Sequence, residues 1–130
     1  MAEKAYCPTV RIAKISRAIG PGLEMAHFPQ QTPSGVWCWT VIVPEGMFKP
    51  NQLAIWFPPG TGIPMDIANE WSPYIDGYID RNNCNCHAWV EVAKLHGEKS
   101  HGFIVPAWGA ARADVNIGPL LECCPESEKP

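Results

Sequence analysis

The chain has 130 residues, room for one domain and little else. A hydrophobic content of 46% and a charged content of 18% argue for a packed core, while 14 prolines and 11 glycines exclude an all-α bundle. Ten Lys and Arg against 13 Asp and Glu give a net charge of −3, which excludes strong non-specific nucleic-acid binding by the whole surface but leaves room for a local basic strip.

The first expected strand covers 9–19, where Val10, Ile12 and Ile15 alternate with Arg11, Lys14 and Arg17. Val10 and Ile12 share one parity and Ile15 has the other, so a bulge is expected near Ala13 and Lys14. Gly20-Pro21-Gly22 is a turn, 23–28 a second strand and 29–35 a polar loop. Residues 36–43 give the clearest strand, almost wholly β-branched and aromatic, with Trp37, Trp39, Val41 and Val43 expected to face inward. Cys38 between the two tryptophans reads as a small buried hydrophobe. A fourth strand covers 53–57, and 64–71 is the one expected helix, opened by Pro64. Residues 72–85 read as a long loop. The strands 88–95 and 102–105 are expected to pair as a hairpin with 96–101 as its tip. The reading is an all-β domain over 9–107, a small closed or nearly closed barrel of five to six strands with one short helix. An insert over 72–87 interrupts it, a lead over 1–8 precedes it, and a tail or linker over 108–130 follows.

No apolar run approaches the roughly 20 residues of a membrane-spanning helix. Residues 1–7 have no apolar signal core, so the expected setting is cytoplasmic, without a membrane partner. The six cysteines, at 7, 38, 84, 86, 123 and 124, are then expected to be reduced thiols. Cys84, Cys86 and His87 are three soft ligands within four residues. They could hold zinc with a fourth ligand from Cys7, Cys123 or Cys124, although paired cysteines in structural sites usually stand further apart.

Catalytic motifs are absent. Gly60-Thr61-Gly62 follows a strand, but no Gly-Lys-Ser/Thr follows it to cradle phosphate. None of the serines sits in a nucleophile elbow, and the four histidines form no His-x-x-x-His pair. Cys86 and His87 are neighbours on an expected strand and point to opposite faces, so adjacency makes no dyad. Tyr74-Ile75-Asp76-Gly77 has the outline of the nucleotidyltransferase motif Lys-x-Asp-Gly, but a phenol stands in place of the amine that attacks ATP.

The segment from Trp39 through Val43, the Gly46-Met47-Phe48 turn, the strand start at Leu53, the apolar run to Phe57 and the closing Pro64 resembles the N-terminal OB-fold domain of ATP-dependent RNA ligases, which precedes their nucleotidyltransferase domain. Residues 12–26 are similar to that domain's first strand and turn, and Lys94 to Gly97 with Ser100 to Gly102 to its last hairpin. The sequence departs from the pattern at His96, where arginine is usual, at Asn51-Gln52 in place of Gly-Asp, and in the insert 72–87. These 130 residues are expected to contain no catalytic domain.

The resemblance implies an OB-like barrel that is no enzyme itself and needs no cofactor. Such a barrel would bind RNA or an RNA–DNA duplex near a nick, supporting a nucleotidyltransferase domain in cis or in trans. Arg11, Lys14 and Arg17 on the first strand, with Lys94, His96, Lys99 and His101 on the last hairpin, would form its cationic edge. Trp39 and Trp56 are expected in the core, whereas Trp71, Trp89 and Trp108 are the better candidates for base stacking. Two alternatives stand beside this: a protein-interaction adaptor on the same barrel, favoured by the negative charge, and a small zinc-binding protein using Cys84, Cys86 and His87.

Overall fold

In a computed structural model, residues 5–17, 20–32, 35–81, 87–95, 97–107, 116–119 and 121–125 are described. They form eleven strands, one α-helix and one 3-10 turn. Where the sequence predicts one strand over 9–19 there are two, β1 (Thr9–Arg11) and β2 (Lys14–Arg17). The expected irregularity lies between them, and it is a change of partner. The Ile12 amide donates to the Gln52 carbonyl at 3.0 Å and the Ala13 amide to the His27 carbonyl at 2.8 Å, so the chain leaves one sheet and enters another within two residues.

β3 (Leu23–Thr32) and β4 (Gly35–Pro44) make a long hairpin in unbroken register. β3 runs straight through Pro29, in the stretch expected to be a loop. Its other neighbour, β2, reaches only as far as His27, so beyond that residue β3 is an edge, where a missing amide donor is tolerated. At this end of the hairpin Val36, Trp37 and Cys38 are exposed, which corrects the inward placement of Trp37 and the buried placement of Cys38. Val41 and Val43 do face the core.

β5 (Leu53–Phe57) pairs with β1 on one side and with β11 (Phe103–Pro106) on the other. Apolar on both faces, it separates two cores. Ala54 and Trp56 join Val10, Ile12, Ala26, Phe28, Val41, Val43, Phe48 and Ile104 on one side. Ile55 and Phe57 join Cys7, Ile63, Ala68, Tyr78, Val90, Phe103 and Val105 on the other. The Phe57 and Phe103 rings stack there with centroids 4.9 Å apart.

The second core is roofed by β6 (Gly62–Pro64), α1 (Met65–Glu70), a 3-10 turn (Asp76–Tyr78), β7 (Ile79–Asp80) and β8 (His87–Val90), with β8 between β6 and β7. The helix is where Pro64 places it. Residues 72–81 of the expected insert contribute to this roof: Ile75, Tyr78 and Ile79 are buried. Its polar residues clasp one another. Ser72 Oγ donates to Asp76 at 2.9 Å and Arg81 donates to Asp76 at 3.0 Å and to Asn69 at 2.9 Å. Arg81 first, and Ser72 second, hold the exposed Asp76 carboxyl below the usual carboxylate range. Tyr74 O–H donates to the Ile104 carbonyl and Tyr78 O–H to the Ile42 carbonyl, both at 2.6 Å, so the Tyr74 to Gly77 run serves packing.

Burial raises both phenols, Tyr78 to about 12. For Tyr78, a raised folded-state value means that its contribution to stability is complete below the unfolded value of 10.0 and is lost as pH rises through about 12; the Tyr74 contribution is lost in the same direction. An alkaline titration followed by phenolate absorbance should therefore show two tyrosines ionising late and together with unfolding. Normal ionisation of both in the folded chain would contradict their burial.

The expected hairpin of 88–95 with 102–105 is replaced by a different pairing. Glu91 separates β8 from β9 (Val92–Leu95), and β9 pairs with β10 (Glu98–His101), the residues predicted as the tip. Phe103–Pro106 pairs with β5 instead, because a strand buried on both faces belongs between two cores and not in an exposed hairpin. The ladders form four sheets, β1-β5-β11, β2-β3-β4, β6-β8-β7 and β9-β10, all open. Where β4 meets β10, side chains stand in for a ladder: the Ile42 amide donates to Ser100 Oγ at 2.9 Å, and that hydroxyl donates to the Gly102 carbonyl at 2.8 Å. The domain is all-β with one short helix, as expected, but among the described residues no ladder closes it into a barrel.

Candidate nucleic-acid interface

The seven basic positions singled out in the sequence do not share one setting. Arg11 is exposed at the end of β1 and donates to the Asn51 carbonyl at 2.8 Å. Lys14 and Arg17 stand three residues apart on β2, so they leave opposite faces of the strand. Arg17 lies opposite Glu24 and lines an open cleft of about 540 Å³ with Gly20, Pro21, Glu24 and Glu45, an acidic setting unsuited to phosphate. Lys94 and Lys99 are direct cross-strand partners of β9 and β10, both exposed, with Val92 and His101 beside them on the same face. His96 lies outside the described residues.

His101 reaches β4. Its Nδ1 is 3.3 Å from the Thr40 carbonyl oxygen, and its ring meets that of Trp39 edge-on at 5.3 Å. The Trp56 indole donates to the His101 carbonyl at 2.7 Å, which fixes the backbone there.

Sequence reading missed the residues that connect these positions. Lys14 on β2, His27 on β3 and Thr40 on β4 are aligned across three strands. They share the face that points away from the core of Ala26, Phe28 and Val41. His27 Nε2 lies 2.6 Å from Ser16 Oγ and His27 Nδ1 lies 3.0 Å from Thr40 Oγ1. Burial, and then the charge of Lys14, lower the pKa of His27 below the ordinary histidine value. The available signal was the strict alternation of β3, which puts Met25, His27 and Pro29 on one face. Within an expected strand, His27 was the one polar residue of that set.

The tryptophans divide differently from expectation. Trp56 is in the core, and Trp39 packs against it with rings 5.2 Å apart. Trp89, a stacking candidate from sequence, is 1% exposed. Trp71 is half-buried against the second core, and Trp108 lies outside the described residues. Trp37 is instead the most exposed described tryptophan, 52% accessible at the end of the long hairpin.

Of the proposed zinc ligands, Cys84 and Cys86 lie outside the described residues. His87 Nε2 is 3.3 Å from Cys124 Sγ. Cys7 is buried and its thiol is pushed up, first by a hydrogen bond with Cys123 and then by burial. Among the described residues, no three His, Cys, Asp or Glu side chains converge as a metal site would require. No described helix is long and apolar enough to cross a membrane.

No protein-family model and no curated protein matches the chain. Solved structures of the Naegleria gruberi RNA ligase do. An apo mutant of that ligase superposes over 96% of this chain and 36% of its own, with a TM-score of 0.74 and 16% identity. The chain has a fold similar to one part of an RNA ligase. A mutant with ATP and Mn gives 0.73 over 94% and 35% of the two chains, and a mutant with AMP and Mn gives 0.71 over 92% and 34%, each at 16% identity. The chain thus spans about a third of the ligases it matches.

Proposed function

We propose that this chain is a non-catalytic, OB-like module that binds RNA or RNA–DNA duplex ends near a nick, in support of a nucleotidyltransferase domain in cis or in trans. The observation that carries the reading is the fold likeness, which takes in nearly the whole chain and one part of an RNA ligase. On this reading β1-β2, β3, β4, β10-β11 and β5 wrap into a barrel. Its seam between β4 and β10 is bridged by Ser100 and by His101 on Thr40. Two surfaces suit a nucleic-acid backbone: the Lys94 and Lys99 pair, and the row of Lys14, His27 and Thr40.

Phosphate contacts should dominate binding, so affinity should fall steeply with salt. Fluorescence anisotropy with a nicked RNA duplex is expected to show binding at about 50 mM salt, where screening is weak. Lys94→Glu with Lys99→Glu should reduce affinity by about tenfold or more, because two attractive charges become repulsive, while the circular dichroism spectrum stays unchanged. No binding by the unaltered chain at low salt would remove the reading. Incubation with labelled ATP should leave no nucleotide on the protein, and a covalent adduct would overturn the non-catalytic role.

The exposed Val36 and Trp37 favour a second reading, a protein-interaction adaptor. Capture of a protein partner that survives nuclease and high salt would select it.

A further inference from the structure

We propose that Lys14, Ser16, His27 and Thr40 form a site for one nucleic-acid backbone phosphate, and that His27 takes up a proton from solvent when the phosphate binds. The inference rests on the nucleic-acid reading above and adds to it a site and a proton.

Both ring nitrogens of His27 are within hydrogen-bond reach of a hydroxyl, Ser16 on one side and Thr40 on the other. A neutral imidazole has one donor and one acceptor nitrogen, so it must consume the O–H of one hydroxyl. An imidazolium donates from both nitrogens to the two hydroxyl oxygens, and both O–H groups are then free to turn outward. One proton therefore changes this patch from a self-satisfied trio into a cation flanked by two free donors, with the Lys14 ammonium in the same row. That is an anion receptor.

The charges explain why the receptor stays unprotonated when empty. Desolvation and the Lys14 charge both oppose a proton on His27. A phosphate between the two would offset both and hold the proton in place. β2 presents Lys14 and Ser16 to His27, and β4 presents Thr40 with the Cys38 thiol two residues along the same face. β10 brings His101 to the far side of the Thr40 carbonyl, and β1 directs Arg11 to the Asn51 carbonyl. β3 itself offers no titratable residue on this face besides His27. Ser16 also borders the cleft that Glu24 and Glu45 line, but Glu24 leaves the opposite face of β3 from His27 and accepts from the Gly46 amide. Among the described residues of these strands no carboxylate shares the face of His27, so a phosphate there meets no local competitor for the proton.

The test is nuclear magnetic resonance of the His27 imidazole across pH, with and without a nicked RNA duplex, paired with binding calorimetry in two buffers of different ionisation enthalpy. The duplex should raise the His27 pKa by about one unit or more, and near pH 7 calorimetry should show proton uptake, up to about one per complex. Affinity should rise by up to about tenfold per pH unit on acidification, and His27→Gln, a polar side chain that takes up no proton, should abolish most of that dependence. Lys14→Gln, at an exposed position, should raise the pKa of His27 in the free protein and weaken binding. His101→Gln assigns any share due to the other histidine.

Binding that is equally pH-dependent in wild type and His27→Gln, or without proton uptake, overturns the proposal and leaves the nucleic-acid reading standing. Absence of binding at every pH overturns both. Inorganic phosphate alone, at the same phosphate concentration, should leave His27 almost unmoved. An equal shift would make this a free-anion site and overturn the assignment to a nucleic-acid backbone.

Discussion

Replacing Gly102 with alanine should destabilise the domain by about 3 kcal/mol or more, enough to leave a marginal domain of this size largely unfolded. Two costs coincide at this residue. Its φ is +75°, a backbone conformation that L side chains rarely adopt, and a Cβ placed there would sit 2.0 Å from the Phe57 carbonyl oxygen and 3.2 Å from Val90. The carbonyl belongs to β5, which is locked between two strands and cannot retreat. Gly97, in the β9–β10 turn, separates the two costs: its φ is +85° but a Cβ would meet open space. Gly97→Ala should therefore lose only about 1–2 kcal/mol, the cost of the left-handed backbone alone. Urea unfolding of both variants checks the contrast. Equal losses would mean that the approach of Gly102 to β5 is not a constraint on the fold.

Removing the Ser100 hydroxyl is the second large effect. Ser100→Ala should cost about 2–3 kcal/mol, because it strands two groups and not one. The Ile42 amide loses its acceptor and the Gly102 carbonyl loses its donor, in a place where Ser100, Ile42 and Gly102 are all buried. The damage should be directional. Hydrogen exchange at the Ile42 amide should accelerate well beyond what the global stability loss explains, since the β4–β10 contact opens locally. His101 depends on the same contact for its place beside Thr40, so binding to a nicked duplex should weaken in parallel. A variant that loses stability while the Ile42 amide stays protected would place the bridging role elsewhere.

Much of this fold was legible because its signals were local. The β4 and β5 strands announce themselves through β-branched and aromatic runs, Pro64 marks the helix, and the parity change at Ile15 marks the hand-over after Ile12. The failures were failures of partnership. The residues of β10, Glu98-Lys99-Ser100-His101, carry no apolar signature, because only Ser100 is buried and it is used for its hydroxyl. Pro29 reads as a strand breaker unless one knows that β2 stops short. Trp37 and Trp89 have the same local look, yet one hangs at a hairpin end while the other is buried with its ring against Gly62. As for the candidate interface, sequence offered lysines but not their neighbours. Lys94 and Lys99 could be paired from a correct hairpin, whereas Ser16, His27 and Thr40 meet only through the register of three strands.

β5 has one more consequence. Its alternate side chains are divided between two apolar compartments, so neither compartment can be dissolved without stripping half the contacts of the strand that supports the other. A chain organised this way behaves as a single cooperative unit despite having two interiors. It would therefore tolerate grafted segments at the far end of the β3–β4 hairpin far better than any cut beside the central strand.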